Sequence, residues 1–365
     1  MLSELTVTLI SLLSFLLPTQ LGLHLNNLSP TVYGFKIDYL TPTIYLTDIV
    51  ILPIIVFSLR KLKFSKRQIL FSLLYIGFAL INILTSGYQL AAVYKWLRIS
   101  EMILLGLALM NTKKFDSFKH FFKPLSYSMI IVCLLGIFQF LTKGSIGGIF
   151  YWLGERSFLF SDPNIAPYPY STFSHPNSFA GFLLIFGIFL LKFKKRLSSR
   201  FFWLLSTLVI VNLILTNSLN VYVSIIILIL LKSFKIYSFP FFIIDFSQRS
   251  ISHRVELIGA SFKMIKENWL SGVGLNNFIP NLPQVTKTFL NAWELQPVHN
   301  IFLLIFSETG ILGLGIFCYL IFSVTMSSEL IAILLTGMPD HYWLTLQQNL
   351  LLFTYVLSLS KRGKK

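Results

Sequence analysis

The chain has 365 residues, of which 55% are hydrophobic and 12% charged, and its formal net charge is +16. A soluble domain carries roughly 25% charged residues, so a water-exposed surface drawn from this pool would be largely apolar, and a lipid bilayer is the solvent that tolerates it. The basic excess does not point to nucleic acid, because it is distributed as a topology signal between spans.

Apolar runs recur along the chain near 3–17, 44–59, 68–85, 91–110, 125–142, 177–191, 201–217, 219–231, 236–245, 301–322, 328–338 and 343–359. A helix needs ~20 apolar residues to cross a hydrocarbon core of ~30 Å. The runs at 236–245 and 328–338 are short, so about 10–12 spans are expected in an all-α polytopic protein forming a single integral membrane domain. The segment Met1 to Pro18 has no basic n-region and no small-residue cleavage site, and reads as a retained first helix. Cys133 and Cys318 fall inside apolar runs and point to neither a disulfide nor a metal site.

Lys and Arg gather in five patches after alternate spans: Arg60–Arg67, Lys113–Lys123, Lys192–Arg200, Lys232–Lys235 and Lys361–Lys365. That is the positive-inside pattern. With twelve spans it puts both termini in the cytoplasm and turns the long loops 18–43, 143–176 and 246–300 outward. Those loops hold His24, His175, His253 and His299, with His341 in the last, short outer loop and only His120 on the cytoplasmic side. Polar and aromatic content in long loops marks the outer face as the functional one.

Taken in order, the fourth span carries Lys95, Arg98 and Glu101 on roughly one face. Charges inside a membrane are rare and default to function, although Arg98 and Glu101 can neutralise each other while Lys95 snorkels outward. The stretch from Ser171 to Phe179 places His175, Pro176 and Asn177 at the opening of a helix. These residues serve equally well as a cap or as an anion-facing helix start. In the loop 246–300, Val255, Ile258, Phe262, Ile265 and Trp269 recur at helical spacing, the pattern of an amphipathic helix lying on the outer leaflet. It runs into Gly272-Val273-Gly274-Leu275-Asn276-Asn277-Phe278, where the glycines permit a tight turn. His299 and Asn300 stand directly before the apolar run 301–322. Asn300 has the chemistry of a helix cap and His299 that of a general base, since an imidazole with a pKa near ~6.5 accepts a proton at neutral pH. Glu308, about two turns into that run, is costly unless paired or facing a polar cavity.

Arg254, Trp269, the 272–278 turn, the sequence His299-Asn300-Ile301-Phe302-Leu303 and Glu308-Thr309-Gly310 with Gly313 together resemble the signature of the O-antigen ligase and O-antigen polymerase family. Ser174-His175-Pro176-Asn177 resembles that family's earlier outer motif, and the stretch from Asp340 to Gln348 resembles the ending of many bacterial members. The resemblance implies a GT-C type glycosyltransferase that moves a glycan from undecaprenyl diphosphate to an acceptor hydroxyl outside the cytoplasmic membrane, without metal or cofactor. By motif, His299 matches the catalytic histidine and Arg254 an arginine associated with the donor diphosphate. His175, Asn177, Asn277, Asn300 and Glu308 would shape the polar pocket.

One position departs from the pattern. Members commonly carry an Arg in a Thr-x-Ser-Arg context after the seventh span, and here the chain reads Thr216-Asn217-Ser218-Leu219-Asn220. A diphosphate leaving group gathers negative charge that arginine forks are suited to hold, so Leu219 leaves the site one cation short unless Arg98 or Lys95 supplies it. The expected function is therefore that of an O-antigen ligase-like inverting transferase. Its partners would be a lipid-linked glycan donor, a glycan, lipid or protein acceptor, and membrane lipid. A polymerase of the same family differs only in acceptor, which the signature does not encode. A lipid-linked-glycan transporter or an inactive binding protein is the reading from another class. A transporter would thread polar residues to the cytoplasmic side, whereas Lys95, Arg98, Glu101 and Glu308 sit in the outer half.

The charge pattern makes a direct prediction. A topology reporter fused at Lys365 or near Lys195 reads cytoplasmic, and one fused within 280–295 reads exported. A cytoplasmic signal from the 280–295 fusion would overturn the outward assignment of His299.

Overall fold

The computed structural model describes residues 2–60, 65–158, 167–234, 248–286 and 294–362. The run read at 236–245 lies outside the described residues, as do parts of the basic patches at 60–67, 232–235 and 361–365. The chain is an all-α polytopic membrane protein, built from α1 (Leu2–Leu16), α2 (Leu46–Leu59), α3 (Lys66–Leu84), α4 (Gln89–Asn111), α5 (Lys123–Thr142), the short α6 (Ile149–Trp152), α7 (Pro176–Lys192), α8 (Ser199–Thr216), α9 (Leu219–Phe234), α10 (Gln248–Glu267), α11 (Phe278–Val285), α12 (Ile301–Phe322), α13 (Ser328–Gly337), the short α14 (Tyr342–Thr345) and α15 (Gln347–Arg362). A π-helical turn, Ser117–Phe122, leads into α5.

Four of these segments are long and apolar enough to cross a membrane: α3, Ser117–Thr142, α8 and α12. Shorter apolar helices, α1, α2, α7, α9 and α13, accompany them. The helix starts follow from local chemistry. Ser65 accepts from the Gln68 amide, Ser198 from that of Phe201 and Ser327 from that of Leu330, each satisfying an amide the helix cannot. On α3, Leu70, Phe71, Leu73, Leu74, Ile76 and Leu80 are all exposed. A water-facing helix does not carry such a surface, and in a bilayer it meets acyl chains.

The main core lies among α1, α2, α4, α5, α7, α8, α13 and α15, where Phe121, Phe122, Phe173, Phe179, Phe182, Phe186 and Phe189 are fully buried. Rings stack at short range there, such as Phe121 on Tyr355 at 4.7 Å between centroids. A second, smaller core gathers Val32, Leu40, Leu257, Met264, Phe278, Leu282, Val298 and Leu304 beneath the loop-borne elements. The loop 18–43 is itself ordered by two antiparallel pairs, β1 (Gly22–His24) on β4 (Thr43–Tyr45) and β2 (Thr31–Val32) on β3 (Phe35–Lys36).

The two ends of the bundle differ in chemistry. At one end Lys114 pairs with Glu4 at 3.0 Å, Lys192 with Glu329 at 2.9 Å and Arg196 with Asp116 at 3.5 Å. Arg362 donates to the carbonyls of Thr112 and Phe115 at the same end. At the opposite end Thr172 donates to the Pro18 carbonyl at 2.6 Å, and Ser174 to the Gln20 side chain at 2.8 Å. The histidines discussed below sit at that second end.

α12 is not a straight rod. Gly310 breaks it at φ 64°, ψ −168°. A broken helix in a membrane must find partners for the backbone groups it frees. Here the turn after α10 supplies them. Val273 donates to the Ser307 carbonyl at 2.9 Å, Gly274 to the Glu308 carbonyl at 3.0 Å, and Ile311 to the Trp269 carbonyl at 2.8 Å. Asn82 of α3 closes the joint: its amide donates to the carbonyls of Ser271 and Glu308, while its oxygen accepts from Trp96 Nε1 and the Leu275 amide.

The two backbone segments approach too closely at this joint for a side chain. A Cβ on Gly310 would lie 2.3 Å from the Leu270 carbonyl carbon, and one on Gly272 would lie 2.3 Å from that of Glu308. Gly310→Ala is therefore expected to destabilise the protein by roughly 2–5 kcal/mol, from strain and overlap together. Gly315→Ala on the same helix, where a Cβ meets nothing within 4 Å, should leave stability within about 0.5 kcal/mol. Thermal unfolding of both variants in detergent checks this, and equal melting temperatures for the two would refute the joint.

Candidate functional site

Three elements bring histidines together at the second end. α10 carries His253 and Arg254. The start of α12 carries His299 and Asn300, and the turn between α13 and α14 carries Asp340 and His341. α10 is fixed by burying Leu257, Ala260 and Met264 in the second core, and Ser261 meets Ser307 of α12 at 2.8 Å. Val255, Phe262 and Trp269 are left exposed, so the helix has an apolar stripe facing outward as well as a buried face.

His299 and His341 lie edge to face with ring centroids 5.0 Å apart, and Tyr39 lies edge-on to His341 at 5.5 Å. Thr345 Oγ1 is 2.8 Å from His341 Nδ1 and holds that ring in place. Asp340 Oδ1 accepts the His341 amide at 2.8 Å, and its other oxygen is 3.5 Å from Asn177 Nδ2. Arg254 Nη1 donates to the Pro339 carbonyl at 2.7 Å, which puts the guanidinium beside Asp340. His299 Nδ1 is buried and has no hydrogen-bond partner, an arrangement that costs free energy unless another group completes it.

Burial sets the ionisation of this cluster. It holds His175 at about 4 and His341 at about 3, with Arg254 adding to the effect at both. His299 is driven well below its ordinary value by burial first, then by His341 and Arg254. Burial raises Asp340, while Arg254 and His175 oppose the rise. The imidazoles are thus neutral at physiological pH, and the fixed positive charge beside them is Arg254. His299, Asp340 and His341 offer donor atoms within 4.8 Å of one another, a set that could ligate a metal ion. The adjacent guanidinium opposes a cation there and favours an anion.

The remaining residues singled out in the sequence fall in several places. His175 caps α7, accepting the Asn177 amide at 3.1 Å, and joins the cluster through Asn177 and Asp340. Asn300 caps α12, accepting from the amides of Phe302 and Leu303 at 2.9 Å. Asn277 is fully buried and bonds the backbone of Tyr88 through both side-chain atoms. Glu308 accepts the Phe278 amide at 3.2 Å and so belongs to the 272–278 turn. Lys95 donates to the Leu344 carbonyl at 2.5 Å and acts electrostatically on Glu308 and His341. Arg98 stands apart, in ion pairs with Asp48 at 2.7 Å and Glu101 at 2.5 Å, and over the Tyr45 ring at 4.8 Å. Leu219, at the start of α9, is partly exposed.

Tyr39, Arg156, Asp340 and His341 were not selected from the sequence as site residues. Asp340 and His341 carried a signal, an acid and an imidazole in a short loop between two apolar runs. Tyr39 and Arg156 carried none that distinguishes them from other loop residues.

Residues 172–318 match the O-antigen ligase family. The matched stretch contains His175, Asn177, Arg254, Asn277, His299, Asn300 and Glu308, whereas Tyr39, Lys95, Arg156, Asp340 and His341 lie outside it. No curated protein matches the chain.

His299 and His341, held neutral in the fold, give stability a pH dependence of known sign. Their folded pKa values lie below the unfolded ~6.5, so the unfolded chain binds more protons as pH falls through 6.5, and folding loses up to about 1.4 kcal/mol per histidine per pH unit. The melting temperature should hold above pH 7 and fall between pH 6.5 and about 4, and His341→Gln should flatten that slope. A flat profile for the unsubstituted protein would mean that the histidines take up protons as readily in the folded state as in the unfolded one.

Proposed function

We propose that this membrane protein, which carries the O-antigen ligase family's domain over residues 172–318, transfers a glycan from undecaprenyl diphosphate to an acceptor hydroxyl on the outer face of the cytoplasmic membrane. One observation carries the reading: His299, with an unpartnered ring nitrogen, and Arg254 converge on one cluster at the end of the bundle opposite the basic pairs.

Each step follows from that chemistry. The acceptor oxygen attacks the anomeric carbon from the face opposite the diphosphate, giving inversion. The bond from that carbon to the phosphate oxygen breaks, and its electron pair leaves with the lipid diphosphate. The acceptor proton passes to His299, which is available because burial and Arg254 keep it neutral. The same low pKa makes it a modest base, so holding both substrates on one membrane surface contributes a large share of the rate. Arg254 faces the leaving group, where a guanidinium fork meets developing phosphate charge. Transfer to a growing polysaccharide, a lipid or a protein uses the same steps with a different acceptor.

His299→Ala should cut transfer by about 100-fold or more, while the protein still inserts and elutes as a single folded species, since the imidazole is only half-buried. Transfer from a lipid-diphosphate glycan by purified protein measures it. The acid limb of kcat/KM should lie below pH 6.5, because His299 protonates only well below that value. Near-normal turnover in the alanine variant would remove His299 from the chemistry.

A further inference from the structure

The family resemblance implies an arginine where this chain has Leu219, and the two substitutes the sequence offers are committed elsewhere. Arg98 is shared by two carboxylates, Asp48 and Glu101. Lys95 is tied to the Leu344 carbonyl and lies within electrostatic reach of Glu308. A diphosphate ester carries more than one negative charge, and a single guanidinium offsets one of them.

We infer that Arg156 is the second diphosphate-binding cation, facing Arg254 across His175 and Asp340. This rests on the donor reading above.

Arg156 reaches the site through a continuous set of contacts. Its Nη1 donates to the Ser174 carbonyl, one residue before His175, and its guanidinium lies over the Tyr170 ring at 5.5 Å. The Tyr170 and His175 rings are 6.4 Å apart. From His175 the path continues through Asn177 to Asp340, 3.5 Å away, and through Pro339 to Arg254. The charge of Arg156 is felt at His175 and at Tyr39, and that of Arg254 at His175, His299 and Asp340. Two guanidiniums from different elements thus act on one imidazole.

The neighbouring carboxylate does not cancel this charge. Glu155 Oε1 accepts from Gln139 Nε2 and the Ile146 amide, both at 2.8 Å, and Oε2 accepts from the Gly147 amide at 2.7 Å. Glu155 is spent on ordering its own loop, and Arg156 has no ion pair among the described residues. A half-buried arginine held by a carbonyl and an aromatic face, with its charge unneutralised, is prepared for an anion.

The test compares two lipids on the full-length protein in nanodiscs: undecaprenyl diphosphate and undecaprenyl phosphate, with Kd read by native mass spectrometry. The unsubstituted protein should prefer the diphosphate. Arg156→Gln should weaken diphosphate binding by about ten- to a hundredfold and collapse the preference over the monophosphate, and Arg156→Lys should restore part of it. A retained preference in Arg156→Gln would overturn the assignment. So would an equal loss for both lipids accompanied by a lower melting temperature, since that is the signature of a residue that only holds its loop. Arg254→Gln separates the two levels. If it loses diphosphate binding while Arg156→Gln does not, only the present inference fails. If neither variant loses it, the donor reading fails with it.

Discussion

The joint between the turn after α10 and the break in α12 is the constraint on which the candidate site depends. A helix interrupted at Gly310 frees backbone groups in a region with no water to receive them, and each one left unpaired in lipid costs several kcal/mol. The turn at 269–274 returns those bonds through three backbone contacts, and Asn82 adds two more from α3. Glycine at 272 and 310 lets the two backbones meet at a distance that any Cβ would prevent. The consequence reaches beyond local stability. Arg254 sits near the start of α10 and His299 directly before α12, so fixing the far end of one helix to the middle of the other fixes the relation between the two side chains.

Charge inside the bundle follows the same economy of partners. A lone ion in low dielectric is strongly disfavoured, and breaking a buried pair is more damaging than never having had it. Arg98 meets that demand with two acids from α2 and α4, which explains why three charged residues can occupy this region without lining a pocket. Lys95 and Glu308 meet it differently, through the Leu344 carbonyl and the Phe278 amide, each anchoring an element that borders the cluster. These residues act on the site by holding its walls. Positive charge reaches the histidines from Arg254, from Lys95 at His341 and from Arg156 at His175.

The parts legible in the sequence were those governed by local pattern. Apolar runs marked the helices closely: the runs at 177–191 and 301–322 became Pro176–Lys192 and Ile301–Phe322. Caps were equally visible, since Asn300 and His175 satisfy the amides directly after them. What escaped was set by contacts between distant residues. Nothing near Asn82 announces that it bonds residues about 190 and 226 positions away. Periodicity gave α10 one apolar face for the membrane, yet its second face, with Leu257 and Met264, is covered by α11 and α12. The pairing of Arg98 with Glu101 was legible in the sequence, but its second acid, Asp48, lies on another helix fifty residues earlier.

The division of the site between chain segments bears on how much a family signature can carry. The stretch 172–318 contributes His175, Arg254 and His299, while Tyr39, Arg156, Asp340 and His341 come from either side of it. Yet the second group acts on the first. Burial first, then His341 and Arg254, depress His299, Asp340 ties α7 to the turn before α14, and Arg156 bears on His175. His299 in the matched stretch is held neutral by burial and by groups both outside and inside that stretch, His341 and Arg254. The same reasoning applies to the gap at Leu219. A diphosphate senses the summed field of its pocket, and a guanidinium arriving from the loop after α6 serves that field as well as one at the start of α9. Position in the chain is therefore a weaker constraint on the cations than on the histidine, which must meet one particular proton.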